Sequence, residues 1–232
     1  MRKCFAVFLA LMMAFMTSSA FADLQTEAGE AVFSPAALET DLFKAISVPE
    51  AAKGLFDSGS TDTVTISDGT FSIQTADGIT LNLNNEEQLI VLTQDFGAQI
   101  SDFLSMYGEN APNIVTQMVE GGIHMIMYDY WTDTVLLVTV ADDVIATIAG
   151  DMNNLTDSDI LYVSKYFGEG LDCKDGMQAR TYNDTKWVSG NDGKGIFNVT
   201  IKNGKVIIVE ADHYSQEAAD CCNTVLKCLT IN

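Results

Sequence analysis

The stretch FNVTIKNGKVIIV, residues 197–209, decides the fold class of this chain. Asn203-Gly204 stands between an apolar run that ends at Ile201 and another that begins at Val206. Asn-Gly readily adopts the positive φ angles of a two-residue hairpin turn. The stretch therefore predicts two antiparallel strands, and the sequence on both sides continues the β pattern.

Upstream, from Thr63, apolar residues alternate with polar ones, which is the period of a half-buried strand. Asp68-Gly69 and Asp77-Gly78 predict turns in this region, and Leu89–Leu92 suits a further strand. Other apolar segments predict additional strands: Ile123–Tyr130, Thr134–Val140, Val144–Ala149, Met177–Tyr182 and Lys186–Val188.

Helices are predicted by their capping residues. Thr156-x-x-Asp159 resembles a capping box and predicts a helix that ends near Gly168. Ser215 can cap a final helix with one apolar face, and Ser34-Pro35 predicts a short helix near the N-terminus. The mixture of paired strands and separate helices indicates an α+β protein with an antiparallel sheet flanked by helices.

The first 22 residues have the order of features of a cleavable signal peptide. Arg2 and Lys3 are followed by the uncharged run Cys4–Met16, and Ala20-Phe21-Ala22 fits a cleavage site. The apolar run is shorter than the roughly 20 residues of a membrane-spanning helix. We therefore expect a secreted or extracytoplasmic protein, in the periplasm or on the cell surface, without a transmembrane segment in its mature chain.

The remaining chain divides into residues 23–62, a helical N-terminal arm with a linker, and residues 63–232, an α+β domain. Loss of the signal peptide leaves 10 basic and 32 acidic residues, a net charge of −22. So acidic a surface repels phosphate backbones, which argues against nucleic acid as a partner. It leaves binding of cations open as a function.

Several short sequence segments follow one another in an order that is typical of a known family. Phe71-Ser72-Ile73 is followed by Leu89–Leu92, then by Asp142–Ile160, and then by the hairpin of residues 197–209 with its terminal helix. In this order they resemble the PsbP-like family, over about residues 63–230; relatives usually carry a Pro-x-x-Trp phrase where this chain has Thr75-Ala76-Asp77-Gly78. The resemblance implies an α+β sandwich and no shared active site. Many exported bacterial members of that family have unknown functions.

Four cysteines follow the signal peptide: Cys173, Cys221, Cys222 and Cys228. A regular terminal helix separates Cys221 from Cys228 by about 10 Å, beyond the reach of a disulfide. A bridge between Cys173 and one of the three helix cysteines remains, and four reduced thiols are the alternative. Their spacing does not match a zinc site.

The chain contains two histidines, His124 within an apolar strand and His213 after the long hairpin. Neither lies next to a nucleophile motif, so we predict no catalytic residue. Asp151-x-Asn153 begins like a calcium loop but lacks its glycine and final glutamate. No motif for a metal or a cofactor is present.

Tyr128, Tyr130 and Trp131 cluster at the predicted tip of a hairpin. Such aromatic residues either pack over a sheet edge or form an exposed binding patch. We expect a non-catalytic binding or accessory domain, facing an unknown protein or envelope component. The alternatives are an enzyme whose site forms only in the fold around His124 or His213, and an acidic cation-binding protein.

Overall fold

A computed structural model describes residues 62–87, 89–95, 118–129 and 131–232. The predicted signal peptide (1–22), the N-terminal arm apart from Asp62, and Tyr130 lie outside these residues. Residues 62–94 and 122–232 fold as one unit, which holds all of the described strands. Its strands and helices confirm the α+β class.

The first sheet has four antiparallel strands in the order β1-β2-β3-β11. The N-terminal end of the unit contributes three of them and the C-terminus adds the fourth. Their bounds are β1 Thr63–Ser67, β2 Thr70–Gln74, β3 Thr80–Asn84 and β11 Leu229–Ile231. Strand β11, which the sequence analysis did not anticipate, pairs with β3 through Leu229 opposite Leu83 and Ile231 opposite Leu81.

The second sheet has seven antiparallel strands in the order β4-β5-β6-β10-β9-β8-β7. The long hairpin predicted around Asn203-Gly204 lies near its centre, and its turn has φ angles of 51° and 76°. The bounds are β4 Ile90–Thr93, β5 Ile123–Asp129, β6 Thr134–Asp142, β7 Gln178–Tyr182, β8 Thr185–Asn191, β9 Ile196–Lys202 and β10 Lys205–Ala211.

The helices of this unit are α1 (Val144–Ala149), a 3₁₀ helix (Met152–Asn154), α2 (Asp157–Gly170) and α3 (Gln216–Cys228). The capping box of Thr156 and Asp159 and the Ser215 cap are both present, as predicted.

The prediction of a strand over Val144–Ala149 was wrong. Asp143 accepts a hydrogen bond from the backbone N–H of Ile145 at the start of this segment. Gly150, with φ 72°, closes its other end. An aspartate before and a glycine after a short apolar run are helix caps, and their effect outweighs the β preference of Val and Ile.

The two sheets and α3 enclose one hydrophobic core. Alternate residues of β10, such as Ile207 and Val209, face this core together with Val225 and Leu226 of α3. Helices α1 and α2 contact strands β7 to β10, and their buried residues lie outside this core cluster. The central part of the seven-stranded sheet is therefore covered on both faces.

One lysine ties the two sheets together at their surface. Lys205 Nζ lies 2.8 Å from Asp77 in the β2–β3 turn and 2.8 Å from Asp142 at the end of β6. The Lys205 pKa is raised, because it forms hydrogen bonds with Asp142 and Asp77. Among the described helices, none has the length and apolar character needed to cross a membrane.

Gly190 of β8 faces the loop that follows α2. A Cβ atom there would lie 2.9 Å from Met177 Cγ, 3.0 Å from the Gly176 carbonyl oxygen and 3.1 Å from Cys173 Sγ. We predict that Gly190→Ala lowers the free energy of unfolding by about 1–3 kcal/mol, because backbone atoms must move.

The matched control is Gly170→Ala at the end of α2, where an added Cβ meets no atom within 4 Å. Urea titrations of both variants measure the effect. Equal stability of the two variants would contradict the close approach at Gly190.

Candidate functional site

The β5–β6 hairpin tip presents the most exposed aromatic side chain among the described residues. Trp131 is 88% exposed. Its backbone N–H donates to Asp129 Oδ1 at 2.9 Å, and Thr132 Oγ1 donates to Asp129 Oδ2 at 2.8 Å. The turn that carries Trp131 is therefore held by side-chain hydrogen bonds.

Tyr128, predicted to belong to the same patch, is half-buried and has a different role. Its hydroxyl donates to Asp133 Oδ1 at 3.0 Å, which ties the strand to the turn. Tyr130 lies outside the described residues, so the part of the predicted patch that is described consists of exposed Trp131 on a turn supported by Tyr128. Two carboxylates, Asp129 and Asp133, flank the indole in sequence.

His124 forms a buried hydrogen-bond contact with Asp62. Its Nδ1 lies 2.7 Å from Asp62 Oδ2, and the two side chains are 7% and 0% exposed. Because Asp62 precedes β1 and His124 lies in β5, the contact joins the beginning of one sheet to the other. The β5–β6 register shifts between Ile123 and Met125, which accommodates His124 in an irregular position. This geometry fits a structural histidine.

His213 lies in an array of three polar groups. Its Nδ1 is 2.9 Å from Asp212 Oδ1, and its Nε2 is 3.2 Å from Ser215 Oγ. Asp212 Oδ1 also accepts from the Val135 backbone N–H at 3.1 Å. The order carboxylate, imidazole, hydroxyl is that of a hydrolytic triad.

The same hydroxyl is also a helix cap. Ser215 Oγ accepts the backbone N–H of Ala218 at 3.0 Å, which occupies one of its lone pairs. The sequence predicts this cap but not the contact with His213, because the order Asp-His-x-Ser is not a recognised catalytic motif. A hydroxyl that accepts a cap hydrogen bond from Ala218 and also contacts His213 Nε2 finds its hydrogen-bond partners among its own neighbours.

The four described cysteines are free. Cys173 Sγ lies against Gly190, on one face of β8. Cys222 forms a hydrogen bond with Asn198, which lies on the opposite face of the same sheet. The structure therefore does not bring Cys173 together with Cys222, nor with Cys221 and Cys228 on the same helix.

Burial makes these thiols poor nucleophiles. It raises the pKa of Cys173 to about 11, and those of Cys221 and Cys222 to about 12. Nearby acidic groups, such as Asp192 beside Cys173 and Asp129 beside Cys221, raise these pKa values further. Because the thiolate is the reactive species, this environment does not favour thiol catalysis.

The calcium-like stretch has a structural role. Asp151 Oδ1 accepts from the Asn153 backbone N–H at 2.8 Å and caps the 3₁₀ helix. Asp151 Oδ2 lies 3.1 Å from Lys202 Nζ. Within the described ranges, no group of three or more histidine, cysteine, aspartate or glutamate side chains is placed to hold a metal ion.

Glu210 is an acidic residue buried in β10, and no sequence motif points to it. It is 7% exposed, and burial raises its pKa to about 8, with smaller contributions from Asp192 and Asp212. The sequence does indicate a buried carboxyl here, because the glutamate directly follows the apolar run that begins at Val206. At neutral pH this carboxyl is largely protonated.

No protein-family model, no curated protein and no solved structure matches this chain. The PsbP-like resemblance therefore stays a prediction.

Glu210 makes stability depend on pH. Its folded pKa of about 8 lies above the ordinary 4.5, so the folded state keeps a proton that the unfolded state loses. The contribution of protonated Glu210 to folding stability is complete below about pH 4.5 and is lost as the pH rises to about 8. Glutamine stays neutral, so Glu210→Gln does not lose stability in this way. We expect the unfolding free energy of Glu210→Gln, relative to that of wild type, to rise by on the order of 2–4 kcal/mol between pH 4.5 and pH 8.

The control is Glu169→Gln, whose side chain is 73% exposed. Chemical denaturation at several pH values between 4 and 9 measures the difference. If the unfolding free energies of wild type and Glu210→Gln change with pH in parallel, Glu210 ionises normally.

Proposed function

We propose that this chain is an exported, non-catalytic binding or accessory domain that works in the cell envelope or outside the cell. The leader of residues 1–22 supports export. The observation that carries binding is the 88% exposure of Trp131 on a turn fixed by hydrogen bonds. A PsbP-like sandwich with a helical arm over residues 23–62 is the architecture that we propose for the exported protein.

The exposed indole is suited to protein recognition. Tryptophan is enriched among the interface residues that contribute most to affinity. Because the Asp129 hydrogen bonds already order the turn, binding would lose little conformational entropy there. An ordered, solvent-exposed Trp131 makes no large contribution to the core, so its placement is better explained by an external contact.

The charge of the tip defines the partner. Asp129 and Asp133 lie within two residues of Trp131, and the mature chain is strongly acidic. Lysine and arginine side chains can pack on an indole face and pair with neighbouring carboxylates. We infer that the partner is an envelope protein with a basic surface around an apolar pocket.

Substitution of Trp131 tests this proposal. We predict that Trp131→Ala weakens binding to the partner by about 30-fold or more, because truncation of a central aromatic residue costs about 2 kcal/mol or more. Cross-linking of the mature protein in its own envelope fraction, followed by titration of the captured partner, measures the change.

Ile148→Ala is the matched control, since Ile148 is 78% exposed on α1. It should bind as the wild type does. If wild type and Trp131→Ala capture the partner equally well, the hairpin tip is not part of the binding surface. The same conclusion follows if Trp131→Ala and Ile148→Ala lose the same amount of binding.

A hydrolase is the second candidate, because Asp212, His213 and Ser215 are aligned within 2.9 and 3.2 Å. Its weakness is the cap bond of Ser215 to Ala218. A cation-binding role has less support, since the described residues supply no metal-ligand group.

Ser215→Asn separates these roles. Asparagine caps a helix about as well as serine, so the variant should fold, but it lacks the hydroxyl nucleophile. We predict that wild type and variant hydrolyse p-nitrophenyl acetate at the same rate. That rate should equal the background rate measured in buffer that contains denatured protein. A Ser215-dependent rate at least about 100-fold above the variant would instead establish the hydrolase.

A further inference from the structure

A groove with a volume of about 300 Å³ lies between the β7–β8–β9 part of the seven-stranded sheet and α3. Three polar residues on adjacent strands line it: Ser189 pairs with Gln178 on one side and with Asn198 on the other. Asn223 of α3 also lines the groove. Elsewhere this face of the sheet carries the hydrophobic core. The polar row of Gln178, Ser189 and Asn198 therefore interrupts an otherwise apolar face.

One polar atom of this row lacks a partner. Ser189 Oγ is buried and has no hydrogen-bond partner within the described residues. Asn198, which is 3% exposed, has its own contacts, since its amide donates to the Val209 carbonyl oxygen at 3.3 Å. A buried hydroxyl without a partner costs about 1–3 kcal/mol. A ligand in the groove that bonds to Ser189 would offset that cost.

Arg180 supplies a positive charge to the same groove. The chain has only two arginines, and the other is Arg2 in the signal peptide. No described carboxylate lies within ion-pair distance of the Arg180 side chain, although acidic residues greatly outnumber basic ones. A guanidinium group binds a carboxylate through two parallel hydrogen bonds, which makes Arg180 a suitable anchor for an anion.

We propose that this groove binds a small monocarboxylate that carries hydroxyl groups, such as an acidic sugar or a hydroxy acid. Arg180 pairs with the carboxylate, and the side chains of Ser189 and Gln178 bond to the hydroxyls. Asp175, which also lines the groove, repels a second carboxylate and accepts a hydrogen bond from a hydroxyl. The volume is at the lower end of the range for small-molecule sites.

Matched pairs of carboxylate and amide test the charge requirement. The probes are D-glucuronate with D-glucuronamide, and N-acetylthreonine with its amide, each titrated into the ¹⁵N-labelled full chain after signal-peptide removal. We expect the carboxylates to shift the backbone amide signals of Ser189, Asn198 and Asn223 at concentrations at least tenfold lower than the amides do. If neither carboxylate shifts these signals up to 50 mM, or if the amides bind equally well, the proposal is overturned.

Variants locate the binding. Arg180→Gln should weaken carboxylate binding at least tenfold and leave the weak amide binding unchanged, whereas Arg180→Lys should fall between Arg180→Gln and wild type. Trp131→Ala should bind the probes as wild type does, because the hairpin tip is not part of the groove. Unchanged carboxylate binding by Arg180→Gln would contradict the assignment, while leaving the hairpin-tip proposal intact.

Discussion

The pairing of β10 on both of its sides is the constraint on which the rest of the structure depends. Each residue from Lys205 to Ala211 faces one residue of β6 and one of β9. Ile207 and Val209 enter the core between the sheets, and the residues that alternate with them face the other side. A shift by one residue would exchange the two faces, and Glu210 would then enter the core. The hydrophobic pattern and the Asn203-Gly204 turn both oppose that shift.

This register also places the candidate functional groups. Strand β6, one neighbour of β10, begins directly after the turn that carries Trp131. Strand β9, the other neighbour, orients Asn198 and thereby the polar row of the groove. Where β10 ends, Asp212 and His213 lead to the Ser215 cap of α3. The positions of the hairpin tip, the groove and the histidine array thus all depend on this central strand. Burial by the same sheet raises the pKa of the cysteine thiols, which disfavours thiol chemistry.

Local signals predicted much of this unit, and contacts between distant residues account for what was missed. Asn203-Gly204, the Thr156 capping box and the Ser215 cap depend on neighbouring residues, so the sequence revealed them. Strand β11 has three residues, too few for a period, and exists because β3 offers an edge. The His124 contact with Asp62, the orphaned Ser189 hydroxyl and the opposite placement of Cys173 and Cys222 depend on sheet register, which spacing along the chain does not encode.

Native-state hydrogen exchange tests the central position of β10 most directly. If both sides of this strand are paired and both faces covered, the amides of residues 206–211 that bond to β6 or β9 exchange only through global unfolding. Their free energy of opening should then equal that of denaturant unfolding and exceed that of the edge strands β4 and β7. Opening of β10 at a free energy equal to or below that of β7 would contradict the account.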